Sequence, residues 1–385
     1  MRKVNGIISC NYEGIHSREL SPHRPLAATM VGGRYRLLDF ALSSMVNSGV
    51  TTIGVITPEK YRSILDHIGA GKPWNLDRKN GGIYILPGSE FGLFSQGKKF
   101  LMADLQRNVE ILERSSVEYI IVSGCNQVMN VNFTPVVDKT ADLQADICLI
   151  YKNIKGISAD EASGQVLTLA ADGSVLDIIM NPDAAGSKEP RPWFIDAFVI
   201  KRSLLLKMTD GYSGHGNMDI TQIIQRNIQR LKVQSYEHKG YLGRVESLRS
   251  YYQCNMDLLN HGVRHELFLG ENKIFTKVKE NPPTKYGAWS QAEDSIIAGG
   301  CTVNGKIERT VLFRGVQVET GAVVKNSIIM SDSYIGKDSI LENVILDKYT
   351  YITDRSQIKG KAEEPLLILD RRMKLIHREK EREQV

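Results

Sequence analysis

The sequence contains no long apolar run, few cysteines and no cluster of histidines. No segment of the 385 residues approaches the roughly 18 uninterrupted apolar residues that a membrane-spanning helix requires, so we expect no membrane association. The first residues, MRKVNGIIS, combine a basic start with a short apolar stretch, which predicts a strand and not a signal peptide. The five cysteines are scattered without close pairs, which argues against a disulfide framework or zinc site and indicates a cytoplasmic protein.

Charge is also nearly balanced along the chain. The 49 basic and 44 acidic residues give a formal net charge of +5, and the basic residues do not gather into a stripe interleaved with aromatics. We therefore expect no nucleic-acid partner, whereas small anionic ligands suit the charge. An apolar fraction of 42% is typical of a soluble globular protein, and the length is sufficient for two domains.

The stretch GGRYRLLDFALSSMVNSGV, from Gly32 to Val50, carries the clearest local pattern. Its paired glycines indicate a turn, and the apolar residues that follow recur at helical spacing until Gly49. The next run, Thr52–Thr57, is β-branched and apolar without a polar face. Such a run is typical of a strand that is covered on both faces of a parallel sheet.

Strand-like and helix-like segments alternate through the first two thirds of the chain. The predicted strands are Gly6–Cys10, Thr52–Thr57, Ile83–Leu86, Tyr119–Ser123, Ile147–Tyr151, Gln165–Leu169 and Trp193–Ile200. The predicted helices are Arg36–Ser48, Tyr61–Ile68, Met102–Arg114 and Ile220–Leu231. This alternation predicts a doubly wound, mostly parallel α/β sheet, with ligands beyond the carboxyl ends of its strands.

Apolar residues recur at every sixth position in the C-terminal third. The repeated positions are Leu312, Val318, Val324, Met330 and, after a slip of one residue, Ile335 and Leu341. This period predicts a parallel β-helix, with an antiparallel sandwich as the alternative. We predict an α/β domain over 1–255, a proline-bearing linker over 256–287, and a β-helix domain with a charged tail over 288–385. Because a β-helix has open ends, we expect an oligomer.

Three motifs together resemble those of a known family. They are GGRYRLLDFALSSMVNSGV, the GVIT that follows it and GKPWNLDR further along. They are similar to motifs of glucose-1-phosphate adenylyltransferases, and the resemblance covers almost the whole chain. It implies a nucleotidyltransferase-like α/β sheet followed by a left-handed parallel β-helix of hexapeptide repeats. Active members of the family make ADP-glucose from ATP and glucose 1-phosphate with Mg²⁺.

The positions that would bind the nucleotide are altered relative to the family. There, a glycine-rich loop after the first strand holds the triphosphate, whereas the loop SCNYEGIHSREL retains only Gly14. Tyr12 and Glu13 stand where glycines are expected, so side-chain volume and negative charge oppose triphosphate binding. The arginine of the family's Arg-Ala-Lys-Pro motif remains as Arg24, but Leu26 replaces the lysine. Gly14 and Arg24 are thus residual nucleotide-binding positions.

The metal and sugar positions are altered as well. Cys125 replaces the family's metal-binding aspartate, and a thiol is a poor Mg²⁺ ligand. Arg244 replaces an aspartate of a Tyr-Trp-x-Asp-Val-Gly motif, and Met180 replaces the glutamate of a Glu-Lys-Pro motif. The family's Gly-Thr-Ala loop aligns with Phe100–Ala103, which has no glycine. Asp219 survives as a residual sugar-phosphate or metal position, and it is equally placed to cap the following helix.

A retained scaffold with lost reacting residues resembles the catalytically degenerate GlgD-type subunits of the family. We expect no catalytic residue and no bound metal in this chain, with Mg²⁺ held by a catalytic adenylyltransferase paralogue in a hetero-tetramer. Arg34 stands where related enzymes have a lysine in a regulatory sugar-phosphate site, and Arg36 is nearby. The two form a candidate effector site for a sugar phosphate or nucleotide, unless they pair with acidic neighbours at the surface.

Two other functions remain open. The first is a weakly active sugar-phosphate nucleotidyltransferase with an unusual loop. The second is an acyltransferase that works through the hexapeptide coils, a class that usually needs a histidine at the coil seam. No histidine lies between His265 and His377, which argues against the second. A non-catalytic regulatory subunit is therefore our main prediction.

Overall fold

The computed structural model describes residues 2–10, 24–58, 60–88, 99–155, 164–180, 189–213 and 218–369. The chain divides into two compact units. The α/β unit comprises Met1–Thr29, Leu37–Leu242 and Glu266–Lys277, and the β-helix unit comprises Met30–Arg36, Gly243–His265 and Val278–Val385. The charged tail, residues 370–385, and the loop that contains Gly14 lie outside the described residues.

The secondary structure up to residue 269 mixes strands and short helices. The strands are β1 (Val4–Ser9), β2 (Met30–Val31), β3 (Tyr35–Arg36), β4 (Thr52–Thr57), β5 (Gly82–Pro87), β6 (Tyr119–Ser123), β7 (Gln127–Val128), β8 (Ile147–Ile154), β9 (Gln165–Leu169), β10 (Val175–Met180), β11 (Arg191–Lys201), β12 (Val233–Glu237) and β13 (Gly243–Arg244). The α-helices are α1 (Leu37–Asn47), α2 (Arg62–Ile68), α3 (Met102–Arg107), α4 (Glu110–Glu113), α5 (Thr134–Asp142), α6 (Arg202–Asp210), α7 (Ile220–Arg226), α8 (Leu248–Asp257) and α9 (His261–Arg264). Short 3₁₀ turns span Leu26–Ala28, Lys72–Trp74 and Ile228–Arg230, and a π-helical turn spans His265–Leu269.

A nine-stranded sheet forms the centre of the α/β unit. Its order is β10-β9-β11-β6-β1-β4-β5, with β8 paired to both β11 and β12. The strands β1, β4, β5 and β6 are parallel to one another, as are β8 and β12, whereas β11 runs antiparallel to β6, β8 and β9. The prediction of a mostly parallel α/β sheet is confirmed, and antiparallel β11 lies inside the sheet.

Helix α1 forms the apolar part of the stretch from Gly32 to Val50. It is buried over most of its length, and Leu37 N–H donates to Thr29 O at its start. A Cβ at Gly6 in β1 would overlap Met45 Sδ, so the glycine allows α1 to approach the sheet closely. The helix predicted over Met102–Arg114 is interrupted at Asn108, whose side chain donates to Asp104 O.

The β-helix unit stacks short strands into three parallel sheets. One sheet contains β14 (Lys285–Tyr286), β17 (Thr302–Val303), β20 (Gln317–Val318), β23 (Tyr334–Ile335) and β26 (Tyr351–Ile352). The second contains β15 (Gln291–Glu293), β18 (Lys306–Glu308), β21 (Val323–Lys325), β24 (Ile340–Glu342) and β27 (Gln357–Lys359). The third contains β16 (Ile296–Ile297), β19 (Val311–Leu312), β22 (Ile328–Ile329), β25 (Val344–Leu346) and β28 (Leu366–Ile368). Parallel pairing throughout confirms the β-helix and contradicts the antiparallel sandwich.

The apolar column of the β-helix differs from the sequence prediction at one coil. Leu312 pairs with Ile329, which belongs to the buried core, whereas the predicted Met330 lies one residue past β22. The six-residue spacing of the apolar column therefore shortens by one residue between Val324 and Ile329, and not after Met330 as predicted. One corner of successive coils turns at residues with positive φ, where a polar side chain or glycine is tolerated best. These residues are Asp294, Arg309, Asn326 and Asn343.

Two further segments of the chain belong to the β-helix unit. The hairpin of β2 and β3 turns at Gly32 and Gly33, with φ values of 59° and 81°, so the paired glycines do form the predicted turn. Helix α8 holds this hairpin, because Tyr251 OH donates to Met30 O at 2.8 Å and Gly32 N–H donates to Asn255 Oδ1 at 3.0 Å. None of the helices in the described ranges combines the length and apolarity that a bilayer crossing requires.

Candidate functional site

The candidate site lies at the carboxyl ends of the neighbouring parallel strands β1 and β6. Ser9, the last residue of β1, donates its hydroxyl to Lys99 O at 2.7 Å. Gly124, which follows β6, donates its N–H to Asp196 O of β11 at 2.9 Å. These contacts bring Lys99 and Asp196 to the sheet edge where ligands of open α/β sheets bind.

A buried ion pair occupies this edge. The Lys99 ammonium contacts Asp196 Oδ2, and their side chains are only 17% and 4% exposed. Gln127 Nε2 makes a weaker contact to the same oxygen at 3.4 Å. The Asp196 carboxylate therefore neutralises the Lys99 ammonium at the strand ends. A cation paired in this way is not available to a phosphate.

Asp196 adopts a backbone conformation that is unusual for a strand. Its φ is +51°, and the register between β11 and β8 shifts between Phe194 and Phe198, as at a β-bulge. A residue in the left-handed region is normally glycine, asparagine or aspartate. The bulge directs the Asp196 side chain toward Lys99 and not along the regular pleat.

Asp219 is buried and fully hydrogen-bonded within the chain. Oδ1 accepts from Thr221 N and Thr221 Oγ1 at 2.9 and 2.8 Å, while Oδ2 accepts from Lys99 N and Phe100 N at 2.7 and 2.8 Å. Gln222 Oε1 accepts from Asp219 N–H, which completes a capping box at the start of α7. Asp219 thus caps α7 and fixes the backbone of Lys99.

The environment of Asp219 also affects its ionisation. Burial raises the pKa of the Asp219 carboxyl, while the hydrogen bonds from Phe100, Thr221 and Lys99 act to lower it. The oxygens are committed to N–H and O–H donors, so none has a direction left for a cation. The structure therefore gives Asp219 the role of a cap.

Cys125 follows Gly124 directly beyond β6, beside Cys10 after β1. Ile8 pairs with Ser123, which places the two cysteines at matching positions past their strands. Burial raises the pKa of the Cys125 thiol well above its ordinary value, and the neighbouring Cys10 thiol adds to the rise. Cys125 therefore carries a neutral, protonated thiol at neutral pH.

These residues do not fit a magnesium ion. Mg²⁺ requires hard oxygen ligands in a nearly octahedral arrangement, usually carboxylates, waters and substrate phosphates. A protonated thiol stands at one position, Asp219 is saturated by N–H and O–H donors, and Asp196 is paired with Lys99. Across the described ranges, no group of three or more His, Cys, Asp or Glu side chains could hold a metal ion.

The residual nucleotide-binding positions are only partly described. Gly14 lies outside the described residues, whereas Arg24 is half-buried and stands just before the 3₁₀ turn Leu26–Ala28. Leu26, which replaces the lysine of the family motif, is 4% exposed and packs inside that turn. The side chain at position 26 is therefore part of the apolar core.

The two candidate effector residues lie on the hairpin of the β-helix unit. The Arg34 guanidinium is exposed, donates to Tyr35 OH at 2.8 Å and lies 4.8 Å from the centroid of the Tyr35 ring. No ion pair joins Arg34 to an acidic side chain within the described ranges. Arg36 is half-buried in β3 opposite Met30. Arg34 is the more accessible cation of the two.

Sequence reasoning missed the Lys99–Asp196 pair. Neither residue belongs to a motif, and they are 97 positions apart in the chain. The sequence did show that Arg244 stands where the family has an aspartate. In the structure, Arg244 pairs with Glu246 within the β-helix unit. The one available signal for Asp219 was the spacing Asp-x-x-Gln, a capping-box pattern before an apolar run.

Comparison with known proteins gives the family. Residues 18–261 match the nucleotidyl transferase family, and residues 282–365 match the GlmU-like C-terminal hexapeptide family. The chain is 31% identical over 358 residues to the glycogen biosynthesis protein GlgD of Bacillus subtilis (strain 168), covering 91% of each chain. It is 32% identical over 322 residues to GlgD of Geobacillus stearothermophilus, covering 84% of this chain and 83% of that one.

Similarity extends to proteins named as enzymes. The chain is 29% identical over 372 residues to the glucose-1-phosphate adenylyltransferase of Fervidobacterium nodosum, covering 93% of this chain and 86% of that one. The matches span both the α/β unit and the β-helix unit, as the motifs in the sequence predict. The chain therefore belongs to the glucose-1-phosphate adenylyltransferase family of nucleotidyl transferases, which includes the GlgD glycogen biosynthesis proteins.

Proposed function

We propose that this chain is a non-catalytic, regulatory subunit of glucose-1-phosphate adenylyltransferase that acts in glycogen biosynthesis. It joins a catalytic paralogue in a cytoplasmic hetero-oligomer, expected to be a tetramer, and alters the rate at which the paralogue makes ADP-glucose from ATP and glucose 1-phosphate. The similarity to two GlgD glycogen biosynthesis proteins supports the pathway. The residues at the carboxyl edge of the sheet support the lack of catalysis.

The Lys99–Asp196 ion pair is the observation that carries the proposal. Transfer of a nucleotidyl group needs cations to neutralise the leaving pyrophosphate and carboxylates to hold a metal. At this edge the cation and the carboxylate neutralise each other, and the Asp219 carboxylate caps a helix. A lysine and a carboxylate that contact each other in this way are not available to pyrophosphate and a metal ion.

Magnesium chemistry belongs to the catalytic paralogue in this proposal. When bound in an active subunit, Mg²⁺ neutralises the triphosphate and polarises its phosphoryl oxygens. The thiol of Cys125 and the saturated carboxylate of Asp219 offer no such site here. The chain itself supplies a folded α/β unit and a β-helix to the assembly.

An inert subunit can still regulate its partner. If an effector binds one conformation of the assembly more tightly than another, its binding shifts the assembly toward that conformation. Arg34 offers an exposed guanidinium to a phosphate of a sugar phosphate or nucleotide. Its contacts with the ring and hydroxyl of Tyr35 limit the conformations of the side chain, which favours paired hydrogen bonds to two oxygens of a phosphate.

The test compares the catalytic paralogue alone with the purified hetero-oligomer. We expect the complex to differ from the paralogue in maximal rate or in its response to sugar-phosphate and nucleotide effectors. In the complex, Arg34→Ala should weaken the effector response, while the matched control Arg62→Ala, an exposed cation of α2, should not. Identical kinetics for the paralogue with and without the bound chain would refute a regulatory role.

A further inference from the structure

A cleft on the outer side of the α/β unit lies between α6, α7 and the 3₁₀ turn Ile228–Arg230. Its volume is about 430 Å³, which suits a small organic ligand. Its floor is formed by partly buried apolar side chains that pack against the core of the unit. They are Leu204, Met208, Met218, Ile223 and Leu231. None of the residues named in the candidate site lines this cleft.

Three cations surround this apolar floor. Lys207, Arg226 and Arg230 line the cleft, are exposed, and form no ion pair with any residue in the described ranges. No acidic residue is among the described residues that line it. Three cations that lack an acidic partner in the part of the chain that the structure describes therefore line one apolar surface.

Helix ends explain only part of this arrangement. Lys207 and Arg226 lie in the last turns of α6 and α7, where a cation is favoured by the helix dipole. Arg230 lies beyond α7, and a dipole does not require an apolar floor beside the charges. An apolar floor beside three cations indicates recognition of a ligand that has both an apolar part and a negatively charged group.

We propose that this cleft binds a small amphipathic organic anion, in which a phosphate, sulfonate or carboxylate is joined to an apolar or aromatic body. The body would cover the methionines and Ile223 of the floor, and the anionic group would lie among the two arginines and Lys207. Guanidinium groups suit this role, because they form paired hydrogen bonds with oxyanions. Charge complementarity thus selects the occupant of the cleft.

The cleft is connected to the candidate site by backbone. Met218 of the floor accepts a hydrogen bond from Met102 N–H through its carbonyl at 2.9 Å. The next residue, Asp219, holds the N–H groups of Lys99 and Phe100. A ligand that immobilises Met218 and α7 should therefore protect the backbone from Lys99 to Met102. The suggestion that the bound anion acts as an effector rests on the proposed function, whereas binding of the anion to the cleft does not.

Binding is tested on the purified full chain with anilinonaphthalene sulfonate, a fluorescent aromatic anion, and with the neutral phenylnaphthylamine. We expect saturable binding of one sulfonate probe per chain, and a loss of at least about tenfold in affinity in Arg226→Gln/Arg230→Gln, as expected for two charge-assisted contacts. The control Arg62→Gln should bind normally, and the neutral probe should not distinguish the variants. Unfolding by urea checks that each variant is folded.

Absence of saturable sulfonate binding, or equal affinity in the double variant and the wild type, would overturn the site. Hydrogen exchange of residues 99–102 tests the connection, and we expect slower exchange with the probe in the wild type alone. Unchanged exchange despite binding would overturn the connection and leave the binding site standing. None of these measurements involves the catalytic paralogue, so their failure is distinguishable from failure of the proposed function.

Discussion

The ammonium group of Lys99 and the carboxylate of Asp196 contact each other at the carboxyl edge of the sheet, where α/β proteins of this topology bind their ligands. Asp196 reaches this position because its φ is positive within a bulged strand. The contact is therefore built into the backbone of β11.

Removal of the Lys99 ammonium should destabilise the fold. Lys99→Met leaves the Asp196 carboxylate buried without its cation, which costs about 3 to 5 kcal/mol of unfolding free energy. The matched control is Lys201→Met, whose partner Asp146 is 29% exposed, and which should cost about 1 kcal/mol or less. Urea unfolding of both variants measures the difference. Equal effects of the two substitutions would contradict a buried structural pair.

Asp219 should behave as a helix cap. Asp219→Asn places an amide N–H₂ or a weaker acceptor against the N–H groups of Lys99 and Phe100, so we expect a loss of about 3 kcal/mol in unfolding free energy. Ser247→Ala, which removes the cap of α8, should cost about 1 kcal/mol. Unchanged stability of Asp219→Asn, together with a loss of Mg²⁺-dependent nucleotide binding, would assign Asp219 to a metal instead.

A lysine at position 26 should not create an active site. Leu26 is buried in a 3₁₀ turn, so Leu26→Lys should yield no ADP-glucose synthesis and should lower the unfolding free energy by about 2 kcal/mol. Leu65→Lys is the control, because Leu65 is 37% exposed on α2 and tolerates a charge. Product formation by Leu26→Lys would mean that the remaining nucleotide-binding groups are intact.

The cysteines should be unreactive in the folded chain. All five are buried, and burial raises the pKa of the Cys148 thiol to about 11 and that of Cys125 well above its ordinary value. We expect iodoacetamide to label none of them at pH 8 in the native chain and all of them in urea. Mass spectrometry checks this, and rapid native labelling of Cys125 would instead indicate an accessible thiolate.

The raised pKa values of the buried thiols also predict how the unfolding free energy depends on pH. A thiol whose folded-state pKa is raised binds its proton more tightly in the folded chain than in the unfolded chain. Its contribution to stability is complete below the unfolded pKa and is lost as pH rises toward the folded value of about 11 for Cys148. The unfolding free energy should therefore fall above about pH 8.5, where unfolded thiols ionise. In Cys148→Ala this fall should be smaller.

Much of the fold could be predicted because buried strands consist of short runs of apolar residues that can be recognised in the sequence. Thr52–Thr57, Tyr119–Ser123 and Gln165–Leu169 have the predicted bounds, since each is apolar over a short run. Strand β12, VQSYE, was not predicted, because its stability comes from pairing with β8 and not from its own composition. Likewise, Ile329 and Met330 are both apolar and both buried, and only the pairing with Leu312 identifies Ile329 as the residue in the apolar column of the β-helix.

The candidate site was less accessible to sequence reasoning. The substitutions at Leu26 and Cys125 could be recognised because motifs of a resembling family mark those positions. The partner of Lys99 could not be recognised, since it depends on a bulge in β11 and on the hydrogen bond from Ser9 that holds Lys99 beside the end of β1. A local pattern gives no account of two polar residues that meet only through tertiary structure.

The most direct test of the account is an assay of the purified chain alone with ATP, glucose 1-phosphate and Mg²⁺, in which ADP-glucose and pyrophosphate are both quantified. We predict no product above the background without protein, while the paralogue under the same conditions forms both products. Sustained formation of ADP-glucose by the chain alone, lost in Asp219→Asn, would contradict the account.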